Sequence, residues 1–272
     1  MERNKYKYFY VNGCSFSEGG GLEEPELWDK YKTAPSPGGF MSTYKKYYNV
    51  SWKSRKYVNW GYRLSKIIDV ECINEAKSGG GSERVIRKAY DFIYKYWKIK
   101  DKIFLLLELP GADRAEVFYT KTGKYYIVNS KFDNDNNCKF IHATRDYWPE
   151  KSTIFEDDDT VEIFKTWFES HFNLEEQIKQ IDKDIVGLYS FCTMNNIPIY
   201  LMDTGIPNNI FEGIIDESHI IESVQDWCTN NKMSIDDEIG KYYDEHTDDH
   251  PGYFGHIEYA KYIAKELEFE TK

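Results

Sequence analysis

The spacing of apolar and polar positions changes along the chain often enough to mark out its elements. Tyr6–Asn12 (Y-K-Y-F-Y-V-N) alternates, is rich in aromatics and stops at Gly13, the pattern of a strand entering a turn. Helical spacing covers Val58 to Ile68, and a short strand, Val70–Asn74, leads into Gly79-Gly80-Gly81. A second helix is predicted from about Ser82, where Val85, Ile86, Ala89, Ile93 and Trp97 recur at helical spacing. Ile103–Leu109 is nearly all apolar, which suits a strand buried on both faces of a parallel sheet. Glu116–Val128 reads as a hairpin turning at Thr122-Gly123. Phe132 to Asp159 is polar and is predicted to be a long loop or insertion. Val161 to Met194 is helical with a break near Asn173, Ile197–Met202 is another buried strand, and Tyr253–Leu267 is a terminal helix. Strands alternating with helices predict an α/β protein whose parallel sheet is covered on both faces. In that class chemistry gathers at the carboxyl ends of the strands, here the loops after Asn12, Asn74, Leu109 and Met202.

Composition narrows the function classes. The chain has 272 residues, 41% of them apolar and 30% charged, enough for a sizeable core and a solvated surface. Its longest apolar run, Ile103 to Leu107, is far short of the ~20 residues of a bilayer span, and residues 1–5 (M-E-R-N-K) do not open a signal peptide. No membrane association is expected. The net charge of −11 repels phosphate backbones and argues against nucleic acid as a partner. Five cysteines, scattered and without a C-x-x-C pair, predict reduced thiols in a cytoplasmic setting, with neither a disulfide frame nor a structural zinc. Tyr (23) and Trp (7) are abundant, which fits either AT-rich coding or an aromatic, sugar-binding surface.

Three segments carry candidate chemistry. In Gly13-Cys14-Ser15-Phe16-Ser17 the first serine stands just beyond a strand, where its hydroxyl can enter the crevice; it is a nucleophile only if a base takes its proton, and otherwise a turn serine. Cys14, directed at the core, is expected to be a packed thiol. In Asn74-Glu75-Ala76-Lys77-Ser78-Gly79-Gly80-Gly81, a strand, a glycine loop and a helix follow one another, the geometry that presents amides to an anion or makes a tight turn. It is neither a dinucleotide fingerprint, because Arg84 occupies a glycine position, nor a P-loop. In Asp248-Asp249-His250-Pro251 a carboxylate just before a histidine can hold the imidazole tautomer, the supporting half of a serine triad; the alternative is a solvated acidic loop. His246, with His250 and Asp248, offers a metal site that we do not adopt, and no metal is expected.

Taken in order, these segments resemble the blocks of the SGNH hydrolase superfamily, the GDSL-like esterases and lipases. Gly13-Cys14-Ser15 matches the first block, with Cys14 in place of the usual aspartate. Asn74-x-Ala76-x-x-Gly79 matches the second, which makes Gly79 an oxyanion-hole donor by its amide. Leu107 to Asp113 looks like the third, with Ala112 where the family has an oxyanion asparagine. His250-Pro251-x-x-x-Gly255-His256 matches the fifth, where His250 is the general base. Thr247 stands where the family's triad aspartate is expected, so the resemblance shifts that role to Asp248. Arg114, two residues past Ala112, is the candidate replacement donor. The N-G-C-S-F front and an arginine after the third strand are similar to variants from tailed phages and marine bacteria.

The resemblance implies a single domain over residues 1–272: a three-layer α/β/α, flavodoxin-like core with about five parallel strands, and an insertion at about 116–195. The implied activity is hydrolysis of a small acyl ester, such as acetyl, carried on a small molecule or carbohydrate, by a Ser15–His250–Asp248 triad without cofactor. A transferase on the same triad, or a non-catalytic, virus-encoded structural or carbohydrate-binding module on the same fold, are the alternatives; Ala112 and Thr247 favour the module.

Overall fold

The computed structural model describes residues 5–19, 59–77, 79–132, 138–145, 158–203, 214–234, 237 and 250–269. Five parallel strands form the main sheet in the order β2-β1-β3-β7-β8, comprising β1 (Tyr8–Asn12), β2 (Glu71–Asn74), β3 (Ile103–Leu109), β7 (Ile199–Asp203) and β8 (Ile220–Glu222). Every residue of β3 is buried, as its nearly all-apolar run predicts for a central strand. Alternation divides the side chains between two cores. Tyr10, Leu105, Leu107, Leu109 and Leu201 face helices α3 (Ser82–Lys95) and α5 (Leu174–Met194), against Val85, Ala89, Ile93, Ile181, Ile185 and Leu188. Phe9, Val11, Phe104, Leu106 and Met202 face α2 (Trp60–Ile68), α6 (Val224–Asn230) and α7 (Tyr253–Glu266). The result is the α/β/α sandwich expected from the sequence.

Local chemistry sets the helix ends. Asn59 accepts the Tyr62 amide at 2.9 Å and so caps α2, whose Trp60, Leu64 and Ile68 fall on one buried face. Asn173 breaks the long helical region where the sequence places the break. Its side chain caps α5, after α4 (Asp158–His171) has ended.

The structure adds elements that the pattern of residues does not predict. The segment expected as a loop from Phe132 to Asp159 contains a strand, β6 (Cys138–Arg145), which pairs antiparallel with β5 (Lys124–Phe132). With β4 (Arg114–Tyr119) they make a separate three-stranded sheet. The β4–β5 turn is the predicted one, with Tyr119 opposite Lys124 and Gly123 at φ 65°. One face of this sheet, through Tyr126 and Val128, packs on Phe164 and Phe168 of α4. The other face meets α3: Arg87 binds Glu116 through two bonds of 2.7 and 2.6 Å and lies 4.0 Å from the Tyr125 ring, while the Glu116 amide donates to Glu83 at 2.6 Å. Although α5 falls within residues 116–195, it packs on the parallel sheet. Strand β8 and helix α6 are further elements that the sequence reading does not predict. Among the described residues no helix is long and apolar enough to cross a membrane, and Cys14, Cys72, Cys192 and Cys228 form no disulfide.

Candidate active site

The chain passes from β1 to β2 on one side and then to β3 on the other, so the strand order switches direction at β1. Crevices at carboxyl ends open at such points. Asn12 ends β1, and Ser15 opens the short helix α1 (Ser15–Glu18) directly beyond it. His250 stands just ahead of α7, whose N-cap is Gly252. The Ser15 Oγ lies 2.9 Å from His250 Nε2, across 235 positions of sequence. Phe16 stacks on the imidazole with ring centres 4.6 Å apart, which fixes the plane of the ring.

The segment around His250 is held at several points. Pro251 bridges Ser234, and the Gly252 amide donates to the Met233 carbonyl at 2.9 Å. A Cβ on Gly255 would collide with that same carbonyl, so the start of α7 comes as near to this backbone as glycine allows. His256, fully buried, accepts the Trp60 amide on Nδ1 at 3.2 Å and ties α7 to the first turn of α2. Burial, with smaller electrostatic contributions from His250 and Arg63, lowers its pKa to about 3 and keeps it neutral as an acceptor.

The glycine loop docks on the same turn. The Lys77 amide donates to the Gly13 carbonyl at 3.1 Å, and Asn74 Nδ2 donates to the Ser17 carbonyl at 2.9 Å. Asn74 Oδ1 in turn accepts the Ala76 amide at 2.8 Å. Gly79 adopts φ 74°, in the region where glycine is favoured. A buried guanidinium joins the two loops: Arg84 Nη1 donates to Asn12 Oδ1 and to the Glu75 carbonyl, each at 3.0 Å, and Asn12 Oδ1 also takes the Gly13 amide at 2.9 Å.

Arg114 reaches this loop from the first residue of β4. Its Nη1 donates to the Gly80 carbonyl at 3.1 Å, and its backbone carbonyl would be 2.9 Å from a Cβ on Gly81. Ala112 is buried in the apolar core under α3 and α5, and its methyl side chain offers no hydrogen-bond donor. Cys14 is 2% exposed, and burial together with Glu108 pushes its thiol up to about 12 against the opposing pull of Arg114. That makes it the packed, inert thiol that its position predicts. Asp248, Thr247 and His246 lie outside the described residues. Among the described residues no group of His, Cys, Asp and Glu is arranged to hold a metal ion.

Two residues at the site are missed by the sequence reading. Asn129 of β5 pairs with Arg114, and its buried carboxamide lies 3.5 Å from where a Gly79 Cβ would be. Glu108 interrupts the apolar run of β3 and lies wholly buried beneath the Gly13–Ser17 turn. Alternation within an element marks both as unusual, but only the assembled fold shows which loops they touch.

No family model matches the chain. No curated protein matches it either. Solved structures similar to it include the psychrotrophic esterase EstA from Pseudoalteromonas sp., inhibited by monoethylphosphonate, at 11% identity and a TM-score of 0.45, covering 96% of this chain and 97% of that one. An acetyl xylan esterase, Est2A, from the rumen bacterium Butyrivibrio proteoclasticus has 11% identity and a TM-score of 0.39 over 96% of this chain and 65% of that one. A structure described as a lipolytic protein of the G-D-S-L family, from Desulfitobacterium hafniense DCB-2, is similar at 11% identity and a TM-score of 0.39, over 96% of this chain and 99% of that one.

Proposed function

We propose that this protein is a serine ester hydrolase acting on a small acyl ester, such as an acetyl group on a carbohydrate or related polar scaffold. The observation that carries the reading is the 2.9 Å separation of Ser15 Oγ and His250 Nε2 at the carboxyl end of β1. A serine hydroxyl becomes a nucleophile when a neighbouring base accepts its proton. In the proposed reaction Ser15 Oγ bonds to the ester carbonyl carbon as its proton passes to His250 Nε2. Collapse of the tetrahedral intermediate breaks the ester bond, and His250 returns the proton to the departing alcohol. Water then attacks the acyl-serine, gives its proton to His250, and the acid leaves as Ser15 recovers its hydrogen. We assign Asp248 to the Nδ1 side of the imidazole. The Ser15 and Gly79 amides are the proposed oxyanion donors, and Arg114, already bonded to the Gly80 carbonyl, adds a cationic one.

A fluorophosphonate probe tests the reading. It is expected to add one phosphonyl group, found on Ser15 by peptide mass spectrometry and absent from Ser15→Ala. A folded wild-type chain that takes up no label overturns the assignment. Arg114→Ala is expected to lower kcat by about 10²-fold, the scale of one lost oxyanion donor. Unchanged turnover removes Arg114 from the hole.

A further inference from the structure

We infer that Glu108 is a positioning residue for the nucleophile: its buried carboxyl grips the Gly13–Ser17 turn from beneath and holds Ser15 toward His250. The inference rests on the hydrolase reading of those two residues.

Glu108 is fully buried, next to the end of the central strand, where its neighbours Leu106, Leu107 and Leu109 are apolar core. A carboxyl is costly to bury, and an apolar side chain of similar length would fill the position without that cost. The acid therefore calls for a reason other than packing.

Its hydrogen bonding supplies one. The Ser17 amide donates to Glu108 Oε2 at 3.1 Å, and the Cys14 Sγ lies 3.8 Å from the same oxygen. Both groups belong to the turn that carries Ser15. Burial raises the carboxyl's pKa, with the hydrogen bonds from Ser17 and Cys14 opposing it. The fit is close: a Cβ on Gly13 would lie 2.5 Å from Glu108 Oε2 and 2.7 Å from Glu108 Cβ.

The carboxyl holds one half of a two-sided clamp. Glu108 takes the Ser17 amide from below, while Asn74 Nδ2 binds the Ser17 carbonyl from the end of β2. Asn12 takes the Gly13 amide at the other end of the turn. Ser15 thus stands between two anchored peptide units, and Phe16, beside it, lies against the His250 ring. Without the Ser17 anchor, the turn can rotate its hydroxyl out of line with the imidazole. Small displacements of a reacting atom cost rate far more than they cost binding.

The test compares Glu108→Gln, which keeps an acceptor of the same length, with Glu108→Leu, which keeps the volume and removes the acceptor. Each full-length variant is titrated with fluorophosphonate to count competent sites, and kcat and KM per site are measured on p-nitrophenyl acetate. Glu108→Leu is expected to lose about 10²-fold in kcat per site with KM little changed. Glu108→Gln is expected to stay within about fivefold of wild type, because its carbonyl still receives the Ser17 amide. Unchanged kcat per site in Glu108→Leu overturns the inference, as does a Gln variant as slow as the Leu variant at equal melting temperature. If Glu108→Leu does not fold, Glu108→Asp decides: it withdraws the oxygen by one methylene and is expected to lower kcat, and an Asp variant as fast as wild type overturns the inference. A wild-type chain that takes no label fails differently, by removing the hydrolase reading itself.

Discussion

Ser15→Ala is expected to lower turnover of p-nitrophenyl acetate by about 10⁴–10⁶-fold, the scale seen when a triad serine is removed. The fold has little stake in that hydroxyl. Ser15 is the first residue of a four-residue helix whose N-cap, Cys14, makes no side-chain cap bond, and the α1 backbone is closed by Gly19 donating to the Ser15 carbonyl. Melting temperature should therefore stay close to wild type, and loss of rate with retained near-UV circular dichroism is the expected pair of readings. His250→Ala should cost a similar factor, and the double variant no more than either single one, since nucleophile and base share one proton across 2.9 Å. Losses that multiply in the double variant would mean that the two side chains act separately, and the shared-proton mechanism would be wrong.

How much of this was legible in the sequence depended on whether the signal was local. β3 could be read directly, because a strand covered on both faces needs no alternation, and Ile103 to Leu107 offers none. The β4–β5 hairpin was visible because a tight turn needs backbone that glycine supplies, and Gly123 takes φ 65° there. β6 was not visible. Lys139, His142, Thr144 and Arg145 make its composition loop-like, and an extra residue, Ile141, lies between Phe140 and His142, the partners of Ser130 and Asn129, and breaks the period that a strand would show. β8 has three residues, too few for any periodicity, and is a strand only because β7 lies beside it.

The site divides along the same line. Ser15, Gly79 and His250 each sit at a strand end or beside a turn, where the local pattern already announces a special backbone. Glu108 lies inside a strand whose neighbours signal nothing but burial. Its direction follows from the β1–β3 register, which pairs Asn12 with Leu107 and sets the next residue beneath the turn. Asn129 depends on still more: the antiparallel sheet must form, pair it with Arg114, and then lean on the loop before α3. Spacing can mark such residues as unusual, but it does not say which contacts they make.

Gly13→Ala tests the tightness of that assembly with a single methyl group. The added carbon would lie 2.5 Å from Glu108 Oε2, 2.7 Å from Glu108 Cβ and 3.2 Å from Ser17 Cβ, so β1 and β3 cannot both keep their present positions. β3 is the central strand, paired on both sides and buried along its whole length. The turn after β1 is therefore the part that yields. Overpacking of this kind costs about 1–3 kcal/mol of stability, measurable as a lower midpoint in urea. The larger effect should be kinetic. Lifting the turn strains three anchors at once: Gly13 N on Asn12, Gly13 O on Lys77 N, and Ser17 N on Glu108. A shift of about 1 Å at Ser15 would lower kcat by about 10². Glu108→Ala should not rescue the variant, because it removes the carboxyl oxygen but leaves the 2.7 Å contact with Cβ. A Gly13→Ala enzyme with wild-type kcat and midpoint would mean that the turn has slack, and that Ser15 and His250 meet without being held there.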